Sequence, residues 1–367
     1  MAYATGTATD PHDALDKLRT FLVANGWAQN GWADDDTGYD TGWTGLGSPD
    51  GKRLHVSRAS SVANGSVDMY FNFKSCIYTI PFEDNEPNTT GNLGDQYSAV
   101  DGIAINGSTG YDGGETWDYQ PGGIVNEAAK SSGCCITGMI ESYINYWFYQ
   151  NGDCTHAIFE ISIGKFMHMA FGCLDKAGTI AGGQFCMASI DGYHPNRNYN
   201  ALTTSRFRTR FGVYHDETPA GWVLLTNIDG DSLWSPIGET TTNYVHISRS
   251  IAIAPNEQDD VGSAAYPDGD LAGLGEMIVS SGPNTFNGLA AMMPFYIFAR
   301  RTSTNYSLLG WPADIRYICC ESYDPGAELT LGADTWMVFP MHCKTTDGGA
   351  VVNGGPGCGG IAILKEV

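Results

Sequence analysis

Residues 137–190 read as a run of hairpins, and this stretch constrains the fold more than any other. Tyr149-Gln150-Asn151-Gly152-Asp153 places an Asn-Gly turn between two strand-like segments, a strong short-range hairpin signal. Residues 156–163 then alternate, with Ala157, Phe159, Ile161 and Ile163 on one side, as a half-buried strand requires. Gly164-Lys165 supplies a second tight turn, residues 166–174 a third strand and residues 184–190 a fourth. The expectation is an antiparallel meander. Residues 138–148 stay open between strand and helix, because Ile140, Ile144 and Trp147 also fit helical spacing.

Upstream, one helix is expected. Asp10 is a good N-cap and Pro11 suits the first helical position. Ala14, Leu15, Leu18, Phe21 and Leu22 fall on one face, and Gly26 closes the helix. Trp27 is expected to pack back on Leu22 or Leu18. Residues 28–52 are rich in Gly, Asp and aromatics without periodicity, so they read as loop. Leu54 and Val56 mark a short strand, and residues 67–80 a strand pair or one long bent strand. Residues 82–98 and 191–217 are polar, and 255–287 are acidic and Gly-rich. Further strands are expected at 223–227, 244–253, 296–301, 315–321, 335–344 and 361–365.

The fold class that follows is mainly β (α+β): antiparallel meanders in a sandwich or barrel-like body, with an N-terminal helix and long Gly-rich loops. Residues 1–52 form the helix and a Trp/Gly/Asp-rich contact loop, and 53–367 the β-rich body. No linker is visible, so one intertwined body and two domains both fit.

The 367 residues include 19 Lys+Arg and 41 Asp+Glu, for a net charge of −22. Broad phosphate contact with nucleic acid needs a basic face that this balance does not supply. A polybasic membrane surface is excluded on the same ground. The apolar run 288–298 is shorter than the ~20 residues of a spanning helix, and the first residues lack the cationic flank and apolar core of a secretory signal. The ten cysteines contain no C-x-x-C pair; they read as buried free thiols of a protein made in a reducing compartment.

Few constellations point to chemistry. Glu160 and Asp175 near the meander are the carboxylates to test for glycoside hydrolysis. Cys173 or Cys186 with His168 is the pair to test for a nucleophile, although the odd spacing of 168 and 173 sets them on opposite strand faces. No Gly-x-Ser-x-Gly elbow, phosphate loop or His-Glu-x-x-His is present. No catalytic residue and no cofactor are expected. Calcium is the one cation to consider, with Asp34, Asp36 and Asp40 as candidate ligands and turn formation as the competing reading.

Several spaced patches carry a resemblance. Thr5-Gly6-Thr7-Ala8-Thr9-Asp10, then Leu15-Asp16-Lys17-Leu18-Arg19 with Phe21-Leu22, then Gly26-Trp27 is the first. Gly110-Tyr111 with Trp117 and Gln120-Pro121-Gly122 is the second. Tyr146-Trp147-Phe148 with Asn151-Gly152, and Phe171-Gly172 with Leu174 and Gly182-Gly183, are the next two. Thr335-Trp336 with Val338-Phe339-Pro340 completes the set. Together they resemble virion structural proteins of tailed double-stranded DNA bacteriophages. The resemblance implies a non-enzymatic, β-rich subunit that assembles with itself and with other virion proteins in the tail (baseplate, tail tip, fibre-attachment or neck region). Its place would be the virion, after synthesis in the host cytoplasm. The aromatic density of the N-terminal third points to inter-subunit contact through Leu18, Phe21, Trp27, Trp32, Tyr39 and Trp43. The rival expectation is a surface binding module that stacks these aromatics on host glycan or another receptor. A homo-oligomer is the general expectation, with neither nucleic acid nor membrane as a partner.

Overall fold

The expected hairpins form, and they build the middle of the molecule. The computed structural model describes residues 1–34, 52–76, 102–115, 117, 120–124, 134–136, 139, 143–189, 214–215, 218–219, 221–226, 233–236, 245–247, 290–300, 306–320, 322–340 and 359–366. The described elements begin with β1 (Ala2–Ala8), α1 (Pro11–Ala24), β2 (Ala28–Ala33), β3 (Arg53–Ala59), a 3₁₀ turn (Val62–Asn64), β4 (Asp68–Cys76), β5 (Gly102–Ser108) and β6 (Cys134–Ile136). The meander follows as β7 (Ile144–Asn151), β8 (Cys154–Ser162), β9 (Lys165–Cys173), β10 (Asp175–Lys176) and β11 (Ala181–Ala188). Then come β12 (Tyr214–His215), β13 (Thr218–Pro219), β14 (Gly221–Thr226), β15 (Leu233–Pro236), β16 (Val245–Ile247), β17 (Met292–Pro294) and β18 (Ile297–Arg300). The last are β19 (Tyr306–Trp311), β20 (Ile315–Cys319), β21 (Ala327–Leu331), β22 (Asp334–Pro340) and β23 (Gly359–Glu366).

The protein is mostly β, and its central sheet is seven-stranded in the order β1-β7-β8-β9-β11-β14-β15. Both faces of that sheet are buried. Phe148, Ala157, Phe159, Met169 and Phe171 face α1 and the five-stranded sheet β2-β3-β4-β5-β6. Tyr149, Ile158, Phe166, Ala170 and Phe185 face the other way, onto the sheet β17-β20-β23-β22-β21 and the sheet β10-β19-β18-β16. The result is a layered antiparallel sandwich with the meander between two apolar cores, and a third, smaller cluster with Ile318, Leu329, Trp336 and Leu364 lies on the other face of the sheet β17-β20-β23-β22-β21. Residues 1–33 share the first core with β3–β9.

Local signals account for the elements. Asp10 caps α1 by accepting the Asp13 N–H at 2.8 Å, while Asp13 accepts the Thr9 N–H at 3.1 Å. This reciprocal cap satisfies two donors at the helix start. Ala14, Leu15, Leu18, Phe21 and Leu22 are buried, and Gly26 closes the helix at φ 88°. In the β7–β8 hairpin Asn151 pairs with Cys154, so Gly152, at φ 55°, takes the first of two turn positions.

Several expectations need correction. Residues 28–33 are not loop: they form β2, bulged between Gln29 and Gly31 and paired with β3. Composition masked that strand because its alternation is broken by the bulge. Residues 2–8 form a strand that short small-residue sequence did not announce. Residues 144–148 are strand, not helix. Ile163 does not continue the inward series of Ala157, Phe159 and Ile161; a bulge between Glu160 and Ser162 turns it out, and it is 100% exposed. Trp27 needs no correction, only an addition: it shares the first core with Leu18 and Leu22, its backbone N–H donates to Leu22 O at 3.1 Å, and its ring also meets Phe71 and Phe171, with centroids at 5.8 and 5.6 Å. The stretches 82–98 and 255–287 fall outside the described residues, as does all of the polar stretch 191–217 except Tyr214 and His215, which form β12.

Phe171 touches Trp27, Phe71 and Phe73, the last at 5.1 Å, and is fully buried. Phe171→Ala is expected to lower stability by about 3–5 kcal/mol, read as a fall in the urea midpoint. A loss below about 1 kcal/mol would mean that the inter-layer core is not what holds the central sheet.

Candidate functional site

The aromatic patch on the surface centres on Trp32. β2 places the indole, the third turn of α1 places Arg19, and the residue before β3 places Lys52. The Arg19 guanidinium lies 4.6 Å from the Trp32 ring centre, and the Lys52 ammonium 5.6 Å from it. Both distances are within cation–π reach. Trp32 Nε1–H donates to Asp34 at 3.1 Å, and Asp34 pairs with Lys52 at 3.8 Å. Arg19 pairs with Asp16 at 2.6 Å and donates to Gln29 at 3.2 Å. Trp32 is half-buried and backs onto the first core. The patch therefore holds a fixed aromatic ring with charged groups of both signs around it. Trp and Arg in this arrangement are the residue types that carry binding energy at interfaces.

The other expected contact residues are placed differently. Leu18, Phe21 and Trp27 are interior. The helix turns its one apolar stripe inward, and the Trp27 Nε1–H donates to Gln150 inside the core at 2.8 Å. They hold the fold and do not face a partner. Tyr39, Trp43, Asp36 and Asp40 lie outside the described residues. Asp34 is exposed and engaged by Trp32 and Lys52. Among the described residues, no group of three or more His, Cys, Asp or Glu is arranged to hold a metal ion.

The tested catalytic pairs do not form. Glu160 accepts from Asn145 Nδ2 at 2.7 Å and from the Gly164 N–H at 2.8 Å, so it holds the β8–β9 turn. Asp175 follows the end of β9 that pairs with Cys154. Six residues of strand separate Cys154 from Glu160, roughly 20 Å, too far for a glycosidase pair. His168 faces the second core side of β9, whereas Cys173 and Cys186 face the first core. Burial pushes the Cys154 and Cys134 thiols well up, and Cys173 to about 12. The seven described free cysteines are all buried and are poor nucleophiles in that state.

Two polar arrangements escaped the sequence reading. Asp153 is buried and accepts from the Ser61 N–H at 2.9 Å, Ser61 Oγ at 2.7 Å and Asn64 Nδ2 at 2.8 Å. Lys176 Nζ adds a bond to Asn64 O at 2.7 Å. Together they fix the 3₁₀ turn, which presents Val62, 87% exposed. Its only sequence signal was the Asp after an Asn-Gly turn. Nearby, burial first and neighbouring carboxylates second push the Asp175 carboxyl up; burial likewise leads for Asp314, and Arg316 opposes the rise in both.

The second is a buried histidine pair in the second core. His168 Nε2 lies 2.9 Å from Pro340 O, and His168 Nδ1 lies 3.2 Å from His156 Nε2. A carbonyl only accepts, so His168 carries its proton on Nε2 and accepts at Nδ1; His156 then donates from Nε2. The pair ties the central sheet to the last residue of β22.

No protein-family model matches the chain, and no curated protein matches it.

Burial, and then the neighbouring His168, hold His156 well below its ordinary value of 6.5. The folded chain thus stays neutral here while the unfolded chain takes a proton below about pH 6.5. This contribution is complete above that pH and is lost as pH falls. The raised Asp175 and Asp314 act in the opposite direction, so a difference is needed to isolate it. The urea stability of wild type minus His156→Gln is expected to fall by up to about 1.4 kcal/mol per pH unit below pH 6.5. A difference that is flat from pH 7.5 to 5 would remove the neutral His156 from the account.

Proposed function

We propose that this chain is a non-enzymatic virion structural protein of a tailed double-stranded DNA bacteriophage, acting in the tail through contacts with copies of itself and with other virion proteins. One observation carries the reading. The sequence patches that resemble such proteins are scattered over the chain, yet they meet in the fold. Thr5 pairs with Trp147 and Gly6 with Tyr146. Phe21 lies 5.6 Å from Phe148, and Trp147 lies 5.1 Å from Phe339. These patches form part of the scaffold: β1, α1, β7 and β22 joined around the central sheet. A rigid sandwich with side-chain-held protruding turns suits a part whose work is to fit neighbours. The composition is in keeping with this, since the acidic chain lacks the cations for nucleic-acid contact. Among the described residues no helix is long and apolar enough to cross a membrane.

The Trp32 patch favours a second reading, a surface module for host glycan. A half-buried indole edge with Arg19, Lys52 and Asp34 around it offers donors and acceptors to sugar hydroxyls beside an apolar surface.

An antibody against the purified chain is expected to label the tail of intact particles in electron micrographs of the lysate that contains it. A chain that stays wholly outside the particle fraction on a density gradient would overturn the virion reading. For the second reading, host envelope glycan is expected to change the tryptophan fluorescence of the wild type and to leave Trp32→Ala unchanged. No change in either protein would remove it.

A further inference from the structure

Every open sheet must protect its edges from other strands, by charge, proline, bulges or brevity. Most edges in this protein are protected. β2 is bulged, β10 is Asp175-Lys176, and β21 carries Glu328. β15 and β17 end on Pro236 and Pro294, while β6 and β16 have three residues each. β1 is different. It has seven residues, Ala-Tyr-Ala-Thr-Gly-Thr-Ala, with no charge and no proline. Its register with β7 is unbroken from Ala2↔Gln150 to Ala8↔Ile144. Among the described strands it has no neighbour on its other side.

The direction of its backbone groups follows from one bond. Thr5 Oγ1–H donates to Tyr146 O at 2.9 Å, so that carbonyl points toward β1. Tyr146 is paired with Gly6. In an antiparallel ladder the N–H and C=O of one residue point the same way, and directions alternate along the strand. Gly6, Ala4 and Ala2 therefore face β7, and Tyr3, Thr5 and Thr7 aim their N–H and C=O outward. Thr5 and Thr7 are exposed. The next outward N–H, that of Thr9, is taken by Asp13, which ends the open edge.

Charge completes the argument. Two copies of a chain with net charge −22 repel, yet cations stand among the carboxylates near β1. On α1, Lys17 pairs with Asp13 at 3.5 Å and Arg19 with Asp16 at 2.6 Å. On the opposite face Lys365 lies 5.2 Å from the Tyr3 ring and pairs with Glu328 at 2.6 Å. Asp10 and Glu366 add negative charge beyond these pairs, and β1 itself carries none.

We infer that β1 is a self-association strand: it pairs antiparallel with β1 of a second copy across a twofold axis at Thr5, joining two central sheets into one. Thr5 is the midpoint of the strand and faces outward, so this register pairs all seven residues. It sets Thr5 against Thr5 and Tyr3 against Thr7, and keeps each face continuous across the joint. The same strand supplies donors and acceptors to both sides, as an isologous contact requires. The inference deepens the assembly reading and rests on it for its role in a particle.

The test uses the full chain in solution. Native mass spectrometry is expected to show twice the chain mass for the wild type. Thr7→Lys, at an exposed position, is expected to halve that mass while leaving the far-UV circular dichroism spectrum of the folded chain unchanged. Opposed residues of a hydrogen-bonded antiparallel pair have Cα atoms about 5.5 Å apart, within disulfide range. Thr5→Cys is therefore expected to give a covalent dimer under mild oxidation, and Thr20→Cys on the exposed side of α1 is not. A monomeric wild type overturns the inference, as does an oligomer that Thr7→Lys leaves intact and Thr5→Cys does not link. The second result leaves the assembly reading standing through another surface. A Thr5→Cys bond to a different virion protein overturns the twofold and assigns the edge to that partner. A covalent Thr5→Cys dimer from a chain that is absent from particles sinks the virion reading alone.

Discussion

Burial of the central sheet on both faces governs the rest of the structure. A sheet with one wet face tolerates polar residues at every second position; this one does not. Ala157 and Phe159 meet the first core while Ile158 between them meets the second. Polar groups inside such a layer need partners within the protein, and Gln150 and Asn151 find theirs in three separate stretches of the chain. Gln150 Oε1 accepts from Trp27 Nε1–H at 2.8 Å and from Thr155 Oγ1–H at 2.6 Å, and its Nε2 donates to Gly152 O at 3.0 Å. Asn151 Nδ2 donates to Leu364 O at 2.8 Å. The same few residues thus tie the helix, the first hairpin and β23 to one layer.

Carboxylates in this chain serve turns more than chemistry. Glu160 holds the β8–β9 turn, Asp153 the 3₁₀ turn and Asp13 the helix start. In each case a carboxylate takes up a backbone N–H of the turn it holds. The turns that result present Ile163 and Val62 to solvent on fixed supports. Such a design holds these two apolar side chains at defined places on the surface, as the proposed assembly role would need. It also explains why a count of acidic residues was a poor guide to a catalytic pair.

The proposed function and the proposed edge contact meet at β1. The strand belongs to the scaffold formed by the scattered sequence patches, and it is also the least protected edge among the described strands. Its small residues serve both purposes. Gly6 leaves room for the Tyr146 ring, which would sit 2.6 Å from an added Cβ, and the absence of charge leaves the outer side open to a matching strand.

The sequence by itself determined the class and several elements. The cap at Asp10, the α1 stripe, the hairpin at Gly152 and the alternation through Phe159 are local, and local sterics and periodicity were enough to read them. Opposite faces for His168 and Cys173 followed from strand parity alone. Tertiary structure decided the rest. Trp27 and Trp32 look alike in sequence, yet one is buried against Phe171 and the other is half-buried under Arg19. The interior places of Leu18 and Phe21 depend on which layer covers α1. The Glu160–Asp175 separation and the His156–His168–Pro340 chain depend on strand order and on layers that join residues far apart in sequence. Those contacts are set by packing across layers, which leaves no period in the chain to read.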